Sequence, residues 1–191
     1  VKGNNDLLCI TQPAIITGIH LEYLEAGADI IETNTFGANW ANLAEYGIEH
    51  RVEELALAGA DLARKVADDF STAERPRWVL GSVGPGTKLP SLGHAEFSVL
   101  RDAYQAQARG LIRGGADAVL ISHMRGHTSD MDAIMALSDA AGLPVIEDAA
   151  HSLGTTWNGR NIGTIGRVGC FSFQSYKMIN AGEGGIMITD D

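Results

Sequence analysis

The sequence predicts an α/β protein built on a mostly parallel, open sheet of about six strands, with helices on both faces and the last strand antiparallel. Three observations carry this expectation. Short apolar runs such as "GGADAVLIS" and "LPVIEDAAH" alternate with stretches of helical periodicity, the grammar of βαβ units. The phrase "AGADIIET" returns in form as "GGADAVLI", so a helix stop followed at once by a strand is used twice. No low-complexity linker or charge block interrupts the chain.

The elements follow in order. Thr11 is placed to cap a helix with Pro13 in its first turn, and Ile15, Ile16, Ile19 and Leu24 recur at helical spacing until Gly27. "ADIIETNTF" reads as a buried strand with its polar residues at the C-terminal end. One long helix over 39–70 leads to the strand and Gly/Pro loop of "RPRWVLGSVGPG". A helix from Glu96 to Arg113 precedes "GGADAVLIS". "TSDMDAIMALSDAAG" carries a Ser129-x-x-Asp132 capping signal and a terminal Gly142. "LPVIEDAAH", "VGCFSFQS" and "GGIMITD" complete the strands.

Composition narrows the function classes. The chain is 45% hydrophobic and 20% charged, which supports a real core. A net charge of −10 excludes nucleic acid and anionic membrane as expected partners, because both demand a basic surface. No apolar run has the length of a membrane span. Cys9 and Cys170 stand far apart without metal-binding spacing, which suits a reducing cytoplasm. His123 and His127 in "HMRGH" are four apart, but Gly126 and the cap residues after it put them in a loop, so no metal site is expected there. The chain starts on Val1 and stops on Asp190-Asp191 after a strand-like run, so both ends read as cut.

Two resemblances meet inside one strand. Residues from Lys2 to about Ile121, through "KGNNDLL", "YLEAGADIIETNTFGAN", "GSVGPGTKL" and "LIRGGADAVLI", resemble the homocysteine-binding (β/α) barrel of cobalamin-dependent methionine synthase and the homocysteine S-methyltransferases. That resemblance implies about three of the eight strands of such a barrel. It offers Glu32, Thr33 and Asn34, at a strand's C-terminal end, as weak candidates for a substrate pocket. It also implies zinc held by three cysteines in the family, and those cysteines have no match here, so zinc is not expected. Cys9 reads as a small buried hydrophobe.

Residues 122–191, through "RGHTSDMDAIMAL", "PVIEDAAHSLGTTWNGRNIGTIGRVGCFSF" and "YKMINAGEGGIMITDD", resemble the pyridoxal-phosphate sugar aminotransferases of the DegT/DnrJ/EryC family. From the residues alone, Lys177 is an amine between a strand and a glycine turn (Gly182, Gly184, Gly185), and Asp148 ends a strand where a carboxylate suits a pyridinium. The resemblance implies the same: Lys177 as the Schiff-base amine, Asp148 on the ring nitrogen, His151 against the ring and Ser172 on the phosphate. It implies pyridoxal 5'-phosphate as cofactor, with a sugar nucleotide and an amino donor as substrates. The family's other phosphate-binding helix N-terminus, its ring-stacking aromatic and its small C-terminal domain have no match.

The domain expectation is therefore a partial barrel over 1–121 and part of an aminotransferase large domain over 122–191, joined within 119–124. In this order the two read as a composite: a recombinant, a mis-assembled sequence or a deliberate chimera. The leading reading is a catalytically incomplete aminotransferase fragment. The alternatives are a homocysteine S-methyltransferase fragment without its zinc cysteines, and a non-catalytic chain. Two incomplete sheets leave apolar surface uncovered, which predicts self-association.

Overall fold

The computed structural model describes residues 3–191. Lys2, at which the first resemblance begins, lies outside the described residues. The chain opens with α1 (Leu8–Thr11) and α2 (Pro13–Glu25). Thr11 does not cap α2. It ends α1, its hydroxyl donating to the Leu7 carbonyl over 3.0 Å, and Gln12 precedes Pro13 in a non-helical conformation with no side-chain cap. A proline disfavours helical backbone at the residue before it, so the break falls at Gln12.

After β1 (Ile30–Glu32), the single helix expected over 39–70 is divided into α3 (Trp40–Ala44), a 3₁₀ turn (Glu49–Arg51) and α4 (Val52–Phe70). Asn39 caps α3 by accepting from the Asn42 amide over 3.1 Å, and Gly47 turns the chain with a φ of +68° that side-chain-bearing residues rarely adopt. β2 (Trp78–Val83), α5 (Phe97–Arg113), β3 (Ala118–Ser122), α6 (Met131–Ala141) and β4 (Val145–Asp148) follow. The cap of α6 is Asp130, accepting from the Ala133 amide, one residue beyond the expected Ser129, which is buried; Gly142 ends the helix as expected.

A hairpin of β5 (Thr156–Trp157) and β6 (Arg160–Asn161) was not expected. Its signal was the Asn158-Gly159 dipeptide, both residues at positive φ, the usual mark of a two-residue hairpin turn. β7 (Val168–Ser172) and β8 (Gly185–Thr189) complete the chain.

The main sheet has six strands in the order β1-β2-β3-β4-β7-β8, parallel except for β8, which runs antiparallel to β7. β1 and β8 are its two ends, so it is open. Consecutive strands advance in one direction, and right-handed crossovers then return every helix to the same face. Accordingly α2, α4, α5 and α6 pack side by side in that order. The expectation of helices on both faces is corrected: one face is covered and the other is not. The core lies beneath the helices, where Ile31, Val79, Val83, Val119, Ile121 and Val145 are buried among Ala56, Ala60, Leu111 and Ile134. A side chain at Gly110 would press into Ala56 of α4, so that glycine sets how closely α4 and α5 approach. The intervening strand residues Leu80, Leu120 and Ile146 point away and are only half-buried, with Ile30, Trp78 and Met187 exposed.

Candidate functional site

Polar side chains gather at the C-terminal ends of the strands in two places. The first is the end of β1. Thr33 and Thr35 are buried, their hydroxyls 2.7 Å apart. The Ser82 amide donates to the Thr33 hydroxyl over 2.9 Å, and the Thr35 hydroxyl donates to the Ser82 carbonyl over 2.8 Å. Gln107 of α5 donates its amide to the Thr35 carbonyl over 2.7 Å. Asn34 donates to the Asn5 carbonyl over 2.9 Å and lies 3.5 Å from the Cys9 sulfur. Burial pushes the Cys9 thiol up, against the lowering effect of Asn34. Glu32 is exposed and, with Thr33 and Asn34, lines a groove of about 480 Å³ between β1 and α2.

The second place is the end of β4 and β7. Asp148 stands last in β4, in register with Cys170 of β7 and Ser122 of β3. Its carboxylate accepts from the Ser122 hydroxyl over 3.3 Å and from the Ala150 amide over 3.1 Å. Ser172 ends β7, its hydroxyl accepting from the Gln174 amide over 3.3 Å. The loop after β7 carries Lys177, and its Nζ lies 2.6 Å from Nε2 of His151 in the loop after β4. An ammonium has donors only, so the imidazole receives through Nε2 and keeps its own proton on Nδ1. Asp148, His151, Ser172 and Lys177 are all half-buried. Burial, with the Asp148 charge adding to it, pushes the Cys170 thiol up. Phe173 donates its amide to the Gly184 carbonyl, closing the glycine turn that returns the chain into β8.

Sequence reasoning missed the residue that organises the ground beneath this second cluster. Glu147, neighbour of Asp148 in β4, is fully buried and accepts from the Gly163, Ile165 and Gly166 amides over 2.8, 2.7 and 2.6 Å. His123 Nε2, also buried, lies 3.2 Å away, and the Ser152 hydroxyl donates to the His123 carbonyl. Burial pushes the Glu147 carboxyl up, but the His123 contact and the three amides outweigh it and hold the group below its ordinary range. An acidic residue in the middle of the apolar strand "LPVIED" was the signal.

A family model for homocysteine S-methyltransferase matches residues 2–164. The chain belongs to the homocysteine S-methyltransferase family. The match runs past residue 121, where the sequence expectation divides the chain. Over 121 residues the chain is 51% identical to methionine synthase of Mycobacterium tuberculosis, which covers 63% of this chain and 10% of that protein. It thus spans about a tenth of that relative's length. Among solved structures, the metallated homocysteine methyltransferase MmuM of Escherichia coli superposes with a TM-score of 0.62 at 22% identity, over 81% of this chain and 58% of that one, a likeness of fold. 3-Amino-5-hydroxybenzoic acid synthase aligns at 38% identity over 40% of this chain and 20% of that one, with a TM-score of 0.38.

The zinc implied for homocysteine S-methyltransferases does not fit the residues present. Among the described residues no three His, Cys, Asp or Glu side chains converge on one point. Cys9 lies in α1, engaged with Asn34, and Cys170 lies in β7, so no thiolate pair is available. No helix among the described residues is long and apolar enough to cross a membrane.

Proposed function

We propose that residues 122–191 are a segment of a pyridoxal-phosphate aminotransferase acting on a sugar nucleotide, joined after residue 121 to part of a homocysteine-binding barrel. The carrying observation is the 2.6 Å contact between Lys177 Nζ and His151 Nε2 at the strand ends that also present Asp148 and Ser172. An amine, a carboxylate and a hydroxyl, borne by two adjacent strands and their loops, are the groups this cofactor's aldehyde, ring nitrogen and phosphate require, so the residues fit it. When bound, the cofactor supplies the electron sink for transferring an amino group.

Each side chain has a task of its own. His151 stands against the cofactor ring and, through its contact with Nζ, holds the Lys177 amine where it meets the aldehyde. Asp148 holds a proton on a ring nitrogen by its charge, while the Ala150 amide fixes the carboxylate. Ser172 donates its hydroxyl to a phosphate. The substrates of this reading are a sugar nucleotide and an amino donor, in a reducing cytoplasm that suits the free thiols Cys9 and Cys170. The uncovered sheet face is the surface through which the chain self-associates, testable by sedimentation over a concentration series.

A second reading, a homocysteine S-methyltransferase fragment, is favoured by the family match and by the groove that Glu32, Thr33 and Asn34 line. Among the described residues no group of three or more His, Cys, Asp or Glu side chains could hold its zinc. A non-catalytic composite is the third. Incubation with pyridoxal phosphate, borohydride reduction and mass-spectrometric mapping separates them. The proposal expects label confined to Lys177 and lost in Lys177→Ala. Scattered or absent label overturns it, and homocysteine-dependent zinc uptake instead supports the second reading.

A further inference from the structure

The loop after β2, the first turns of α5 and the loop before α6 border a cavity of about 230 Å³. It draws on both sides of residue 121, where the two resemblances meet, and none of Asp148, His151, Ser172 and Lys177 lines it. Its walls are apolar: Pro85, Leu89 and Pro90 of the first loop, with Phe97 and Leu100 of α5. The fold holds this frame in two places. Tyr104, only 9% exposed, donates its hydroxyl to the Pro85 carbonyl over 2.7 Å. Phe97 stacks on Trp157 of the β5–β6 hairpin, ring centroids 5.9 Å apart. The polar groups around the cavity are unevenly committed. Asp130 is spent on α6, accepting from its Ala133 amide over 3.0 Å. Arg101 donates to Asp102 through Nε and Nη2, which leaves Nη1 without a partner among the described residues. The side chains of Lys88 and Thr128, both half-buried, have no hydrogen bond or ion pair there at all. What remains unspent is a hydroxyl and two cationic donors, in a chain whose net charge is −10.

We infer that this cavity binds a small apolar monocarboxylate, its charge on Lys88 and its apolar body against Phe97, Leu100 and the two prolines. Unspent cationic donors call for an anionic acceptor, and a carboxylate takes several such bonds at once. The volume is that of about eight waters at about 30 Å³ each, which admits a ligand of roughly eight to ten non-hydrogen atoms. Asp130 borders the same space and repels a second negative charge, which sets aside a phosphate dianion or a dicarboxylate. An inorganic anion would leave the apolar walls wet, whereas a ligand with an apolar body covers them.

The probe is para-fluorobenzoate, followed by its own fluorine NMR line and by the amide shifts of the protein. The expected Kd is about 1 mM or tighter, with shifts centred on residues 88–91, 97–104 and 126–130. para-Fluorobenzyl alcohol keeps the ring and removes the charge, and it binds roughly tenfold or more weakly. Lys88→Met keeps most of the side-chain stem and removes the ammonium. It weakens the benzoate by roughly tenfold and leaves binding of the alcohol unchanged. The inference is overturned if the benzoate does not bind at about 10 mM or if the alcohol binds as well as the benzoate. Benzoate binding that survives Lys88→Met undiminished overturns it too, as do shifts centred on His151 and Lys177 instead of the cavity.

Discussion

The C-terminal end of β1 and the C-terminal ends of β4 and β7 present polar clusters at the same side of one sheet, yet they are built in opposite ways. At β1, Thr33 and Thr35 exchange hydrogen bonds with each other and with both backbone groups of Ser82, which staples β1 to β2. Those hydroxyls have their partners inside the fold and are closed to solvent. At β4 and β7, Lys177 and His151 meet only at their tips, from separate loops, and all four members stay half-exposed. The lesson is that a polar strand end is not by itself a site. What separates the two is whether the backbone of the fold has already consumed the polar atoms.

That contrast can be broken first at Glu147. Replacing it by alanine leaves the Gly163, Ile165 and Gly166 amides and His123 without their acceptor, and the expected loss is about 3–5 kcal/mol in urea denaturation. Its pH dependence sharpens the point. The folded-state pKa lies below the unfolded one, so this stabilisation is complete above the unfolded glutamate value of about 4.3 and is lost as pH falls through the folded value. Glu147→Gln flattens that acid limb; an unchanged acid limb refutes the assignment.

Thr33→Val comes next. It strips the acceptor from the Ser82 amide in a buried place, for an expected loss of about 1–3 kcal/mol. Pyridoxal-phosphate labelling of Lys177 stays at its wild-type yield, and a fall in label would tie the two clusters together. Ser122→Ala removes one long contact to Asp148 and costs about 0.5 kcal/mol, near the limit of a denaturation curve. The smallest stability effect belongs to His151→Ala, within about 0.5 kcal/mol because the residue is half-exposed and outside the core. Its effect is on chemistry: the Lys177 label falls, because the amine loses the side chain that holds it in place. A His151→Ala protein that labels as well as wild type removes that positioning role.

Much of the architecture was legible because it depends on local rules. Apolar strands, Gly142 after α6 and the glycine turn into β8 are decided by residues near in sequence, and the six strands and the antiparallel last one follow the expected pattern. The misread helix over 39–70 had its own local marks in Asn39 and Gly47, and the hairpin had Asn158-Gly159. At the second site the residue types and their strand-end positions were legible. That Lys177 reaches His151 across two loops was not, because that contact depends on how β7 lies beside β4.

The sequence by itself determined the α/β class, the strand polarity and the chemical groups present, since these depend on side-chain identity and short-range backbone preference. Only the tertiary structure decided three further things. It put all the helices on one face, because strand order sets the side to which each crossover returns. It used up the Thr33 and Thr35 hydroxyls while leaving Lys177 half-open, because partners distant in sequence arrive only on folding. It buried Glu147 beneath the loop 163–166, because an uncompensated carboxylate cannot be buried until three amides and an imidazole are brought to it.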